Sequence, residues 1–171
     1  MWPIVVTNGL LFGGLITAWM LVAIFGSLRW NPEIWVNDYP PEIQAALPPK
    51  SARARRQSLW VSVPTALVLV GLIAGLVIRL NDASGGFAGF LPIAAGLWIA
   101  LQLFNLVDLV IVDWLIIETV RPSWTLLPGT EPFAGQRFYR FHFNAFLKGF
   151  VGITVASLVI AGALALVDWL L

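Results

Sequence analysis

Polar residues in this chain are gathered into short intervals, and the apolar runs between them are longer than a globular core helix needs. The runs cover residues 4–28, 59–80, 87–117 and 146–171. At 1.5 Å of rise per residue each can cross a hydrocarbon core of roughly 30 Å. The pattern predicts an all-α membrane protein: one transmembrane domain over 1–171, folded as a four-helix bundle with short cytoplasmic interfacial helices. The third run is the longest and carries most of the polar groups that lie inside a span. It is therefore expected at the centre of the bundle, where protein rather than lipid can solvate them.

Within that run Trp98, Gln102, Asn105 and Asp113 fall within about 80° of one another at 100° per residue, and Asp108 lies about 60° beyond Asn105. They form a stripe from mid-membrane to the cytoplasmic rim. At α-helical rise the run is about 46 Å long, so it must tilt, project or bend near Pro92. The first run carries Gly9 and Gly13, the second Gly71 and Gly75. Each pair has the Gly-x-x-x-Gly spacing that lets backbones approach, and packing inside the bundle is preferred to a dimer seam.

The connections are punctuated. Asn31-Pro32-Glu33 reads as a helix cap, first-turn proline and dipole-favourable acid, starting a short helix through Trp35. Pro40-Pro41 opens a second one, Glu42–Leu47, whose Ile43, Ala46 and Leu47 share a face expected to rest on the membrane surface or on the other loop. The third helix stops at Arg121-Pro122, and Trp124–Glu131 is predicted as an extended piece with a Pro-Gly type II turn. The fourth helix starts as an amphipath: Arg137, Arg140, Asn144 and Lys148 on one face, Phe138, Tyr139, His142, Phe143 and Phe146 on the other.

Composition sharpens this picture. Hydrophobic residues make up 59% of the 171 residues and charged ones 11%, which excludes a water-soluble domain. Net charge is +1, so nothing in bulk charge points to nucleic acid. With no cysteine and one histidine, thiolate and multi-histidine metal sites within one copy are excluded, and no cofactor is expected. Arg29, Lys50, Arg53, Arg55 and Arg56 follow the first run, and Arg121, Arg137, Arg140 and Lys148 flank the last connection; the middle turn has only Arg79. The positive-inside bias puts both long loops in the cytoplasm and both termini outside. Met1-Trp2-Pro3 lacks a basic n-region, so the first run is expected to be a retained helix rather than a signal peptide.

Carboxylates inside a span cost about 2.5–3.5 kcal/mol on insertion scales, so Asp108 and Asp113 need a partner, water or a proton. In one reading Asp108 and Asp113 relay protons or coordinate a cation, with Gln102 and Asn105 lining the path; for Asp113 and Glu118 the preferred role is instead counter-ion to the basic stripe of the next helix, Arg137, Arg140 and Lys148. Asp108 has no basic neighbour at its level and is the best candidate for ion or proton handling with Gln102 and Asn105. Asn105, one turn away, is a possible hydrogen-bond partner for it. His142 is expected to donate to a carbonyl or carboxylate rather than to hold a metal. Lys50, Arg53, Arg55 and Arg56 suit anionic head groups as well as a topology signal. Ser123 and Thr130 have no base at a recognisable spacing, and no phosphate loop or zinc motif is present.

The stretches NPEIWVNDYPPEIQAALPPK (Asn31–Lys50) and VDWLIIETVRPSWTLLPGTE (Val112–Glu131), with Tyr139–Gly149, are similar to stretches of small bacterial four-helix inner-membrane proteins of no assigned activity. The resemblance covers both connections, about half of the chain. It implies four spans and a bacterial inner membrane, and it brings no catalytic residues. Three functions follow as expectations. The first is a non-enzymatic accessory or structural subunit of a membrane assembly, with lipid, other membrane chains or itself as partner. The second is a small oligomeric transporter or channel using Asp108. The third is an anionic-lipid-binding or lipid-modifying protein using a rim of Asp113, Glu118, Arg121, Arg137, Arg140 and His142. No catalytic constellation supports an enzyme.

Overall fold

The computed structural model describes residues 1–170; Leu171, with which the fourth predicted span ends, lies outside the described residues. Four helices are long and apolar enough to cross a membrane: α1 (Trp2–Trp30), α3 (Ala52–Ser84), α4 (Phe90–Val107, continued as a π-helix over Asp108–Val120) and α5 (Tyr139–Leu170). A short helix, α2 (Pro41–Ala46), lies between α1 and α3, and there is no strand among the described residues. The chain is an all-α four-helix bundle, as the apolar runs predict.

α4 is the central helix. Its Ile93, Ala94, Leu97 and Ala100 form one buried cluster with Val5 and Ile16 of α1, Leu76 and Leu80 of α3 and Ala161 of α5. Small residues set its distance from α1. A Cβ added to Gly13 meets Ala100 Cα and its carbonyl oxygen at 2.9 Å, and one on Gly9 meets Ile99 at 3.0 Å. The first Gly-x-x-x-Gly pair is therefore an internal packing seam. The second is used only in part: Gly75 abuts Phe12, but Gly71 faces open space. α3 is the outlier, with little of its apolar stretch covered by other helices.

Both long connections lie at one end of the bundle and together form a cap. Asn31 Oδ1 accepts from Glu33 N at 3.1 Å and starts a 3₁₀ segment that runs through Asp38, one helical turn beyond the predicted Trp35. Trp35 Nε1 donates to Ser27 Oγ (2.9 Å), and the Tyr39 hydroxyl donates to the Thr125 carbonyl (2.8 Å), joining the two connections. Ile43 of α2 is buried beneath the cap and Leu47 packs near Gly129, so α2 rests on the other loop; Ala46 is exposed and takes no part. The Pro128-Gly129 turn forms as predicted, with Gly129 at φ 93° and Thr130 N donating to Leu127 O at 3.1 Å. The segment around it is not extended, because 3₁₀ turns form at Ser123–Thr125 and Glu131–Phe133.

The third helix departs from expectation at both ends. It starts at Phe90 rather than Phe87, since Gly89 at φ 92° cannot continue a right-handed helix backward, and Pro92 sits in the first turn, where it causes no bend. Its length is taken up at the other end, where winding changes from α to π at Asp108. Arg121 N closes that register on Ile116 O at 2.8 Å, and the Thr119 hydroxyl reaches back five residues to Trp114 O. Arg121 then adopts the left-handed conformation (φ 49°) and Pro122 leaves the helix.

Candidate functional site

Residues five apart stack in a π-helix, because its hydrogen bonds join i to i+5. Asp108, Asp113 and Glu118 are spaced by five and five. At 100° per residue, Asp108 and Asp113 stand about 140° apart, on different faces of an α-helix. In the π segment all three carboxylates line one cavity of about 700 Å³ between the cap and the helix ends. The walls are largely apolar, with Ile24 and Leu28 of α1, Val112 and Ile117 of α4, and Phe138 and Phe141 near the start of α5. Asp38 and Tyr39 enter from the first connection, Thr125, Thr130 and Glu131 from the second.

His142 holds the column to α5. Its Nδ1 lies 3.1 Å from Asp113 Oδ1 and its Nε2 3.2 Å from Glu118 Oε1, and the imidazole is buried. Ionised carboxylates only accept, so both contacts are hydrogen bonds together only when both ring nitrogens carry hydrogen. Glu118 is 2% exposed and takes three donors: His142, the Phe138 N–H at 3.0 Å and the Arg121 guanidinium at 3.2 Å. The same guanidinium donates to the carbonyls of Ala134 and Gln136, which explains a left-handed arginine at this point. Strain of order 1 kcal/mol is offset by bonds that tie the second connection to the helix end.

The predicted counter-ions are therefore corrected. Asp113 and Glu118 are paired with His142 and Arg121, while Arg137, Arg140 and Lys148 are exposed and make no ion pair among the described residues. Helix α5 begins at Tyr139, so Arg137 precedes it and bonds loop carbonyls; Arg140 and Lys148 are exposed on the outer face of α5 and turn away from Asp113 and Glu118. The proposed anionic head-group rim is divided accordingly: Asp113, Glu118, Arg121 and His142 face the cavity, and Arg137 and Arg140 do not. Both ring nitrogens of His142 face carboxylate oxygens.

The polar stripe also divides. Trp98 Nε1 donates to Thr154 Oγ1 (3.0 Å), Gln102 Nε2 to Phe150 O (3.0 Å), and Asn105 Nδ2 to Phe146 O (3.3 Å) and Gln102 Oε1 (3.1 Å). This ladder stitches α4 to α5 and leaves no Asn105 bond to Asp108. Gly149 makes room for it, since a Cβ there meets Asn105 Oδ1 at 2.7 Å. Asp108, one turn on, is the floor of the cavity: no lining residue of α4 precedes it, and toward the other end of the bundle the buried apolar cluster begins. The basic run is split as well. Lys50 Nζ donates to Ser58 Oγ and Arg55 Nε to Lys50 O, while Arg53 and Arg56 are exposed.

Sequence reasoning missed Asp38, Tyr39 and Gly149. Burial pushes the Asp38 carboxyl up from its ordinary range, opposed by Lys50 and reinforced by the negative charge of Asp113. Burial also pushes the Tyr39 phenol up to about 12. Acid and aromatic residues at 38–39 carry no periodic signal, and only the folding of the cap over the bundle places them opposite Asp113. Among the described residues no set of three or more His, Asp or Glu side chains is arranged to hold a metal ion. No family model matches the chain, and neither a curated protein nor a solved structure shows a significant similarity to it.

Proposed function

We propose that the protein binds a small amphipathic cation in the cap cavity and acts without chemistry, as a carrier or receptor of a bacterial inner membrane. The observation that carries this is the charge of an otherwise apolar cavity. Five carboxylates (Asp38, Asp108, Asp113, Glu118 and Glu131) line it against Arg121 and His142. His142 and Arg121 answer Asp113 and Glu118; Asp38 and Asp108 make no ion pair among the described residues. A ligand with one positive charge and an apolar body complements both features. A volume near 700 Å³ is that of a small-molecule site. The basic residues of the capped end support placing it in the cytoplasm, with both termini outside. The packed cluster beyond Asp108 supports entry from the capped side.

The test is binding of tetraphenylphosphonium to the purified full chain, with tetraphenylborate as the anionic control of like shape. A unit charge roughly 6 Å from Asp108 at an effective dielectric of about 20 gains roughly 3 kcal/mol before desolvation. The expected loss on Asp108→Asn is therefore about tenfold or more. Equal affinity for the two probes, or an unchanged Asp108→Asn variant that folds normally, refutes the proposal. The accessory-subunit role is supported by a different feature, the apolar stretch of α3, little of which is covered by the other described helices. A second membrane chain co-purifying at fixed stoichiometry is its test.

A further inference from the structure

A second recess lies away from the cap cavity, on the outer side of the first turns of α3. Trp30, Ala52, Arg53, Arg56, Gln57 and Trp60 line it. Of the four basic residues of the run Lys50–Arg56, Lys50 and Arg55 are hydrogen-bonded within the chain. Arg53 and Arg56, one turn apart, have neither an ion pair nor a side-chain hydrogen bond among the described residues, and they face this recess. Gln57 is 7% exposed, and its Oε1 accepts from Asn31 Nδ2 at 2.6 Å. The Gln57 amide N–H₂ thus stands at the recess with no partner among the described residues. Ser51 caps only Ala54, so the N–H groups of Ala52 and Arg53 add the positive end of a 33-residue helix. Two guanidiniums and the amide of a buried glutamine line the same recess beside a helix start, and among the described residues no group accepts from these three side-chain donors. Glu33, the nearest acid of the first connection, is engaged by Ser51 N and Oγ.

The helix below supplies the second half of the site. Residues 53, 56, 60, 63, 67 and 70 follow spacings of 3, 4, 3, 4 and 3, which place them on one face of α3. Below Trp60 that face is Val63, Leu67 and Val70, which are 54%, 69% and 65% exposed. Basic residues at the interface, tryptophans beside them and an apolar track descending from both match a phosphate ester carrying acyl chains. We propose that this face of α3 is a seat for one anionic glycerophospholipid, its phosphate held by Arg53, Arg56 and the Gln57 amide, its chain lying along Val63 and Leu67. A free phosphate has the same head chemistry but makes no use of the track.

Native mass spectrometry of the full chain, titrated in detergent with phosphatidylglycerol, reads this directly. One lipid is expected to be retained per chain, in preference to phosphatidylcholine. At about 1 kcal/mol per interfacial arginine, the Arg53→Gln/Arg56→Gln double variant binds roughly thirty-fold more weakly. Gln57→Glu keeps the acceptor for Asn31 but turns a donor into an anion, so it also loses the lipid. Arg55→Gln, off the recess, stays within about twofold of the parent. Loss in Arg55→Gln as large as in the double variant means a diffuse charge effect and overturns the seat. Displacement of the lipid by inorganic phosphate, or equal retention of phosphatidylcholine, overturns it too.

Discussion

Glu118→Gln is the sharpest perturbation of the cap, because it changes charge and hydrogen-bond sense without changing shape. The carboxylate accepts from His142 on one oxygen, and from the Phe138 N–H and Arg121 on the other. An amide keeps one acceptor oxygen and presents N–H₂ in place of the other: turned toward Phe138 and Arg121 the N–H₂ faces two donors, and turned toward His142 it is satisfied only by an imidazole that has given up its Nε2 hydrogen and its charge. Hydrogen bonds across membrane helices average only about 0.6 kcal/mol in double-mutant cycles. Here the acceptor is ionised and 2% exposed, and two of its partners are cationic or able to be, which raises each bond to roughly 1.5–3 kcal/mol. Losing one such bond and weakening the others costs about 3 kcal/mol, or about a hundredfold in the local opening equilibrium. The loss falls on the start of α5, which Glu118 fastens through Phe138 N. Hydrogen exchange followed by mass spectrometry should show residues 138–142 exchanging about a hundredfold faster, with the buried segment 93–100 unchanged. The thermal midpoint in detergent should fall by roughly 6–12 °C. Unchanged exchange over 138–142, with a midpoint within about 2 °C of the parent, refutes the idea that Glu118 clamps the two helices.

Gly13→Leu forces a side chain into Ala100 backbone atoms 2.9 Å from its Cβ, while Gly14→Ala meets nothing within 4 Å. The first should lower the thermal midpoint strongly and the second should leave it unchanged or raise it slightly, and equal effects contradict the α1–α4 seam. Gly129→Ala places a Cβ at φ 93° and should cost about 1 kcal/mol or more, read as a lower midpoint; a neutral result removes the type II turn. Tyr39 has a folded-state phenol raised to about 12 against an ordinary value near 10, and its hydroxyl donates to Thr125 O. Its stabilising contribution is therefore complete below about pH 10 and is lost as pH rises through about 12. Spectrophotometric titration of phenolate should show this late step in the parent, and its absence in Tyr39→Phe.

The membrane class, the four crossings, the cap at Asn31 and the turn at Pro128-Gly129 were legible in the residues alone. Each depends on a local property: a run long enough to span hydrocarbon, an amide side chain before a proline, a glycine where φ must be positive. The ladder from Trp98 to Asn105 was half legible, since α-helical spacing groups those residues, but Gly149, which opens the space for Asn105, carries no periodic mark. The cavity belongs to the tertiary structure. Three acids at intervals of five scatter around an α-helix and align only in a π-helix, and a register of i to i+5 is selected by what the far side offers, here His142 and the Phe138 N–H. For the same reason the basic stripe Arg137, Arg140 and Lys148 misled: its spacing fixes that the residues share a face, but not which way the face turns. Hydrophobic length along one chain determines that these helices cross a bilayer. Which polar groups meet inside is settled only when the helices dock, because a buried charge takes the partner that docking brings within about 3 Å.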